Sequence, residues 1–558
     1  MVVVVLLLLL LLNLVDASRE RLDEELYVRN VGNGVGAHFQ FTTRWEQDGD
    51  AWVWDSYNLF PKQLGQILDT FKVQEMSISL SKGEWDYDNW GVEFTPAPSG
   101  TEMWAVFEDR NVSSVYGSDH VWKRLVRSVS GISCASLESL DEMMVGQPLE
   151  MFKDLLGKGL GVRYGQLNSE ASCTENLTPW LQLLPYRSHA GLAKLIVPWV
   201  VYRSQFHALS VHFRKFCSDK KCAVELVLSL TVVSMSDAGV FETLSGKKGF
   251  ELVPASVAMS SKVLVENGDK GGKKDYGDCG GRVSLFDLKK MGSMSDADIG
   301  ELKSQPVAGL VKAKRFATGA GTLHGGFVTR IDVSKGLDLM YFELVPSYLR
   351  IDPRSLRVSV NGVEASFWNI SRIELSRRNA PPSVLEIPIK VPPGGGRVLV
   401  TYEFRQAFLP ISAFPADPNH GFDAPSPVIS YRVPGTSKCV FQSPLLGRRV
   451  NGPFKGRLVR LYPGSLIVSM PLPDFSMPYN VITLTSTIMA MFFGSLIGVL
   501  ITPMTVLPER LTDAEKRKQK RNGMLRNFMF LIILGLAWMY ENDRDTLNEF
   551  FSTIKNIF

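Results

Sequence analysis

The sequence predicts a mainly β protein, with β-sandwich domains carrying a few helices and one C-terminal transmembrane helix. Three observations carry that reading. Short runs alternating apolar and polar residues recur between turns, the pattern of half-buried strands. One stretch, Val481 to Ile501, is apolar without a single charge. At ~1.5 Å per residue, a helix of that length crosses the roughly 30 Å of a hydrocarbon core. The N-terminus, Met1 to Leu12, is almost pure Val and Leu.

In chain order, residues 1–17 read as a signal peptide, because Val15 and Ala17 place small residues at the positions a signal peptidase requires before Ser18. No Lys or Arg precedes the apolar run, which leaves an uncleaved anchor as the alternative. Residues 18–244 read as an N-terminal β-rich domain. Ala37–Trp45 and Val73–Leu80 alternate as strands, Glu102–Phe107 is another, and Pro61 opens a helix with Leu64, Ile67, Leu68 and Phe71 on one face. Ser118 can cap a helix carrying Val121, Trp122, Leu125 and Val129. Leu195–Val201 is a short strand candidate that Pro198 confines to a sheet edge. Phe206–Phe216 and Ala223–Val233 read as a hairpin.

Residues 245–324, rich in Gly, Lys and Asp, read as a flexible connecting region. From 325 to 472, runs at Asp338–Leu344, Leu356–Val360, Val384–Ile389, Val398–Phe404 and Leu458–Tyr462 suggest a second, β-sandwich-like domain. Residues 473–502 hold a membrane-proximal segment and the span, with Tyr479 at the headgroup level. The tail, 503–558, carries Arg510, Lys516, Arg517, Lys518, Lys520 and Arg521, which the positive-inside rule keeps cytosolic. The chain is then single-pass type I with its bulk luminal. A further apolar segment, 527–540, is short for a span and suits an interfacial helix; if it spans, the C-terminus is luminal.

The net charge of +4 over 558 residues gives no argument for nucleic acid. Three sequons, at Asn111, Asn176 and Asn369, could carry glycans, although Thr178-Pro179 hinders the second. There are six cysteines, and in an oxidising lumen they can pair. Cys217 and Cys222 look like a local bridge across a turn; the zinc alternative lacks a second ligand pair. None of the seven histidines lies in HExxH, and no GxSxG occurs. No cofactor or metal site is expected. Glu84, Asp86 and Asp88 cluster near Trp85 and Trp90. That cluster is either a solvated turn or a glycan-binding or glycan-hydrolysing site, which is the alternative function for a luminal type I protein.

Further along, blocks of residues carry more. Phe39-Gln-Phe41 with Thr43-Arg-Trp45, Leu59-Phe-Pro-Lys62, Gly131-Ile-Ser-Cys134-Ala-Ser-Leu137, Cys173-Thr-Glu-Asn-Leu-Thr-Pro-Trp180, Asp417-Pro-Asn-His-Gly-Phe422 and Pro473-Asp-Phe-Ser-Met-Pro-Tyr-Asn-Val-Ile482 occur in order. The series resembles the PIG-T subunits of the glycosylphosphatidylinositol (GPI) transamidase of the endoplasmic reticulum membrane. The resemblance implies an accessory, non-catalytic scaffold, since in that complex the nucleophilic Cys belongs to a caspase-like PIG-K subunit. It implies the GPI-anchor attachment protein and PIG-S- and PIG-U-type subunits as further partners, with the GPI lipid and precursor protein as substrates of the complex. It also implies that Cys173 forms an intermolecular disulfide to the PIG-K-type subunit. With Cys173 turned outward and Cys217–Cys222 local, a Cys134–Cys279 bridge is expected and Cys439 is left free. Phe475, Tyr479 and Asn480 stand where a lipid's path or a stiff stalk would lie.

Overall fold

Alternation along the first half of the chain becomes one mixed sheet of 11 strands. The computed structural model describes residues 20–542, apart from short breaks and the stretches 109–116, 141–143, 153–160, 267–271, 276–281, 303–308, 365–371, 377–380, 410–413, 415–420, 434–456, 470–475 and 502–512. The strands are β1 (Glu20–Asn30), β2 (Gly34–Asp48), β3 (Val73–Lys82), β4 (Gly100–Phe107), β5 (Val145–Gly146), β6 (Gly161–Leu167), β7 (Phe206–Ser218), β8 (Lys221–Met235), β9 (Ser260–Glu266), β10 (Gly272–Asp275) and β11 (Arg282–Asp287). Their order is β10-β11-β9-β1-β2-β8-β7-β3-β4-β6-β5, antiparallel except for β1 beside β9.

The central strand β8 is buried along nearly its whole length. It reads Ala223-Val-Glu-Leu-Val-Leu-Ser-Leu-Thr-Val-Val233: Val224, Leu226, Leu228, Leu230 and Val232 enter the first core, while buried Glu225, Ser229 and Thr231 share the opposite face. One face packs against α1 (Lys62–Thr70), α2 (Gly117–Ser133) and α3 (Thr174–Gln182), through Leu64, Leu68, Trp122, Leu125, Leu177 and Trp180. Pro61, expected to open this helix, is its N-cap, so α1 starts one position later, at Lys62.

Two expectations need correcting. Pro198 does not mark an edge strand; it is the first residue of α4 (Pro198–Arg203). A first-turn position loses nothing by the missing N–H, and proline's fixed φ already suits a helix. Residues 245–324 are not simply a connection. β9 lies beside β1 and β11 beside β9; beyond α5 (Val240–Ser245), the helices α6 (Leu288–Met291) and α7 (Asp296–Ile299) supply Leu288 and Ile299 to the first core. The Gly- and Lys-rich composition falls between β9 and β11, where Gly272-Lys-Lys-Asp275 is itself strand β10, paired antiparallel with β11.

The next part has the two facing sheets of a sandwich. Its strands are β12 (Val311–Thr318), β13 (His324–Val333), β14 (Asp338–Val345), β15 (Leu349–Ile351), β16 (Arg357–Val360), β17 (Val363–Glu364), β18 (Arg372–Glu374), β19 (Ser383–Lys390), β20 (Gly396–Gln406), β21 (Phe422–Ala424), β22 (Val428–Val433), β23 (Arg457–Leu461) and β24 (Leu466–Val468). One sheet runs β12-β13-β20-β16-β17 with β15 on β20, the other β18-β19-β14-β22-β23; β21 and β24 pair separately. Ile331, Val398 and Val400 meet Tyr341, Leu385 and Ile429 between them. Arg315 pairs with Glu343 inside this core. The Tyr341 hydroxyl donates to Glu343 Oε2 at 2.6 Å and the Tyr402 hydroxyl to Oε1 at 2.7 Å. The buried carboxylate is thus surrounded by donors, which a charge removed from water requires.

The sheet and the sandwich share a core and belong to one unit, Met1–Leu472. Trp104, Phe152 and Tyr164 of the first part pack with Phe342, Leu344, Val384 and Tyr462 of the second. Glu386 Oε1 accepts the backbone N–H groups of Leu149, Glu150 and Met151 at 3.0, 3.1 and 3.2 Å. A Cβ at Gly146 would collide with Leu344 Cδ2, so glycine there lets β14 approach.

The second unit, Pro473–Phe558, holds α8 (Ser476–Ile501) and α9 (Asp513–Asn542). Among the described residues one helix is long and apolar enough to cross a membrane, Tyr479–Ile501, 23 residues. The apolar segment 527–540 is not a separate element: it continues α9, whose first half carries Lys516–Arg521.

Candidate functional site

Cys173 is the N-cap of α3, in extended conformation (φ −125°, ψ 177°), and its thiol is free and exposed. Three features hold it. Its N–H donates to Asn176 Oδ1 at 2.7 Å, the reciprocal half of a capping box. Its carbonyl accepts the Tyr202 hydroxyl of α4 at 2.7 Å. One turn further, Trp180 Nε1 donates to the Ser210 carbonyl of β7 at 3.0 Å and Leu177 is buried, which fixes α3 on the sheet.

Asn176 does more than cap. Its Nδ2 donates to the carbonyls of Ser133 (3.1 Å) and Cys134 (3.0 Å), at the end of α2. One amide side chain therefore ties the start of α3 to the end of α2 and stands between the two exposed thiols, Cys173 and Cys134. Asn176 is only 2% exposed, and Nδ2 is the atom a glycan would occupy. That arrangement argues against the glycan expected at this sequon. Asn111 and Asn369 lie outside the described residues.

Cys134 follows α2 with φ +52°, a left-handed conformation that non-glycine residues adopt at some cost. Its thiol is free, against the expected bridge to Cys279, which itself lies outside the described residues, as does Cys439. The Cys217–Cys222 bridge is formed, with Cα atoms 4.0 Å apart at the tip of the β7–β8 hairpin.

Beneath α2 and α3 lies a cavity of about 40 Å³. Met76, Ile78, Leu80 and Leu209 of the sheet form its floor; Ile132, Pro179, Leu183 and Val211, all half-buried, stand at its edge. Asn176 lines it as well.

Two members of the acidic cluster, Asp86 and Asp88, are engaged structurally, while Glu84 is exposed. Asp86 accepts the N–H groups of Asp88 and Asn89 at 3.0 and 3.2 Å and closes a turn. Asp88 pairs with Lys312 at 2.8 Å and Lys314 at 3.1 Å, and those bonds hold its carboxyl below the usual range. Trp85 and Trp90 are buried edge to face against each other, 5.3 Å apart, and offer no open ring for a sugar. His207 and His212 are buried on β7; His212 Nε2 meets Glu75 Oε1 at 3.0 Å. No cluster of three or more metal-ligating side chains occurs among the described residues. Tyr479 and Asn480 lie exposed near the start of α8, and Phe475 lies outside the described residues.

Sequence reasoning predicts the hairpin bridge, which forms, but misses Tyr202, the cavity and the tie through Asn176. The last was legible: Cys173-Thr-Glu-Asn176 has the spacing of a capping box, with Cys and Asn in place of Ser/Thr and Glu/Gln.

Residues 4–242 and 253–529 match the family model described as "Gpi16 subunit, GPI transamidase component". The chain is 32% identical to the GPI-anchor transamidase component PIGT of Homo sapiens over 563 residues, covering 90% of this chain and 94% of that one. It is 24% identical to the GPI transamidase component GPI16 of Saccharomyces cerevisiae, covering 82% and 83%. The PIG-T homolog of Schizosaccharomyces pombe is likewise 24% identical, covering 86% and 90%.

Proposed function

The chain belongs to the Gpi16 family of GPI transamidase components, and on that premise we propose that it is the non-catalytic structural subunit of the complex. In this role it stabilises a PIG-K-type cysteine-protease-like subunit through an intermolecular disulfide at Cys173. That partner's cysteine removes the C-terminal signal of a precursor and passes the new carboxyl end to the ethanolamine amine of a GPI lipid. The chain works in the endoplasmic reticulum membrane as a single-pass type I protein, beside the GPI-anchor attachment protein and PIG-S- and PIG-U-type subunits.

One observation supports the proposal above the others: an exposed free thiol at a helix N-cap, with its backbone gripped on both sides by Asn176 and Tyr202. A thiol on a rigid element presents one fixed geometry to a partner, as a cross-link between folded surfaces requires. The bond makes the remaining interface contacts intramolecular, with a high effective concentration.

The test is a non-reducing gel of the complex. Cys173→Ser should fold, because no bridge within the chain is lost, and should remove the heavy band containing both subunits. GPI attachment should fall without vanishing. A heavy band that persists in Cys173→Ser refutes the assignment of Cys173.

A further inference from the structure

We infer that a row of three exposed side chains on the sandwich, Arg350, Arg405 and His324, is a docking site for an acidic segment of another polypeptide of the transamidase complex. The inference rests on membership of that complex and not on Cys173, so the two assignments can fail separately.

Strand register builds the row. On β20 the side chains of Val398, Val400, Tyr402 and Phe404 enter the sandwich core, so the alternate positions, Glu403 and Arg405 among them, face outward. Arg405 stands directly opposite Arg350 of β15 on one side and His324 of β13 on the other. All three side chains are exposed. Directly opposed residues lie about 4.5–5.5 Å apart at Cβ, and like charges there destabilise a sheet. Two guanidinium groups are thus held side by side at a cost to the fold.

Elsewhere this face neutralises its cations. Lys312 and Lys314 pair with Asp88 at 2.8 and 3.1 Å, Arg330 and Arg397 with Asp332 at 2.7 and 2.8 Å, and Arg357 with Glu364 at 3.5 Å. Among the described residues, neither the Arg350 nor the Arg405 side chain has a hydrogen bond or an ion pair. Glu403, two positions before Arg405 on the same face, pairs with neither of them. It repels an acid from the middle of β20 and favours the end of the strand. There the Gln406 N–H donates to the Leu323 carbonyl at 3.1 Å, and Leu323 is 52% exposed.

These groups select the occupant. A guanidinium fork takes a carboxylate through two parallel N–H···O bonds. Forks from two neighbouring strands can grip one carboxylate from both sides, and the imidazole has an N–H to give in either tautomer. Leu323 at the end of the row adds an apolar contact, which a bare phosphate has no use for. An Asp or Glu with an apolar neighbour in its own chain matches both features.

The experiment uses the full-length chain in its assembled complex. Arg405→Lys keeps the charge and supplies an amine. A water-soluble carbodiimide then joins that amine to a carboxylate in contact with it, forming an amide while the reagent takes up the released water and becomes a urea. Mass spectrometry should find the amide between position 405 and an Asp or Glu of another subunit. An adduct confined to Glu403 or to other acids of this chain overturns the proposal, and so does an intact complex with no adduct.

A second arm reverses one charge. Arg405→Glu places an acid opposite Arg350, so the thermal midpoint of the full chain should not fall. Recovery of the subunit that carries the adduct should drop about tenfold, because like charges then meet across the contact. Unchanged recovery counts against the docking site. Loss of bound anionic phospholipid with every subunit retained gives the row to a lipid headgroup and overturns the proposal as well. Where Arg405→Glu lowers the midpoint, Arg350→Gln with Arg405→Gln removes the repulsion without adding charge and is read in the same way. A chain that purifies with no transamidase subunit at all would sink the proposed function too; an intact complex without the amide sinks the docking site alone.

Discussion

The Tyr462 hydroxyl donates to Glu102 Oε1 at 2.7 Å, joining residues 360 positions apart in the chain. Tyr164 donates to the same oxygen at 2.7 Å, and Arg460 lies over the Phe152 ring, 5.0 Å from its centroid. Burial pushes the Glu102 carboxyl up, while Arg460 and the two phenols oppose that shift. β4 and β6 of the sheet and the end of β23 in the sandwich are thus locked through one buried acid.

Tyr462→Phe keeps the ring and removes one donor from that acid. The expected cost is about 1–3 kcal/mol, the penalty of an under-satisfied buried group. It should appear as a lower thermal midpoint of the full chain and as faster proteolysis between the sheet and the sandwich. A midpoint equal to that of the native chain would show that Tyr164 alone satisfies Glu102.

The same junction should respond to pH through Glu93. Burial pushes its carboxyl up to about 8, although Tyr87 and the Ala97 N–H donate to it. Its unfolded value lies near 4.5. Between those values the folded chain binds the extra proton, so stability falls as pH rises from about 4.5 to 8. The full effect is on the order of a few kcal/mol. His38 acts in the opposite sense: burial lowers it to about 3, so stability is lost as pH falls from about 6.5 toward 3. Because the two effects oppose each other below about pH 6.5, midpoints should decline chiefly between about pH 6.5 and 8 in the native chain, and Glu93→Gln should flatten that decline.

What could be read in advance follows from distance along the chain. The β7–β8 hairpin, the Cys217–Cys222 bridge and the α1 face depend on neighbours within a few residues, and all formed where the local pattern placed them. The insertion of β9 beside β1 depends on a parallel partner over 230 residues away, such as Ser260 opposite Asp23. No periodicity announces such a partner. Pro198 was misjudged because proline's rule differs between a strand and the first turn of a helix. Cys173 was legible through the block around it. The cavity beneath α2 and α3 was not, because Met76, Val129, Leu183 and Val211 come from four separate elements or their ends.

The membrane segment gives a prediction of topology. On the proposed type I topology, protease added to sealed microsomes should remove a tag at the C-terminus and leave the bulk of the chain, because the positive-inside rule favours a cytosolic place for Lys516–Arg521 of α9. A protected tag would mean that the apolar half of α9 crosses the membrane.

Near the start of α8, Tyr479 is 60% exposed. Replacing Phe475 and Tyr479 together with Ala should lower GPI attachment while the subunits still co-purify. Normal attachment would leave this segment the role of a stiff stalk.

Asn176 separates two readings of one motif. As a sequon, Asn176-Leu-Thr would carry a glycan on Nδ2; as a structural tie, that atom bonds Ser133 and Cys134. Both cannot hold in one folded molecule, because a glycan would displace the end of α2 from the start of α3. Asn176→Gln should therefore leave the glycosidase-sensitive mobility shift unchanged. It should still weaken the site, because a side chain longer by one methylene cannot keep all three bonds at the same geometry. The expected loss is about 1–3 kcal/mol in stability, together with a fainter heavy band from a less rigidly held Cys173. Asn176→Asp tests the two functions of the amide separately. It retains the oxygen that accepts the Cys173 N–H but replaces the donor with an oxygen facing two carbonyls. If the heavy band weakens in Asn176→Asp as in Asn176→Gln, the tie to α2 positions the thiol; if only Asn176→Gln weakens it, the cap alone does so.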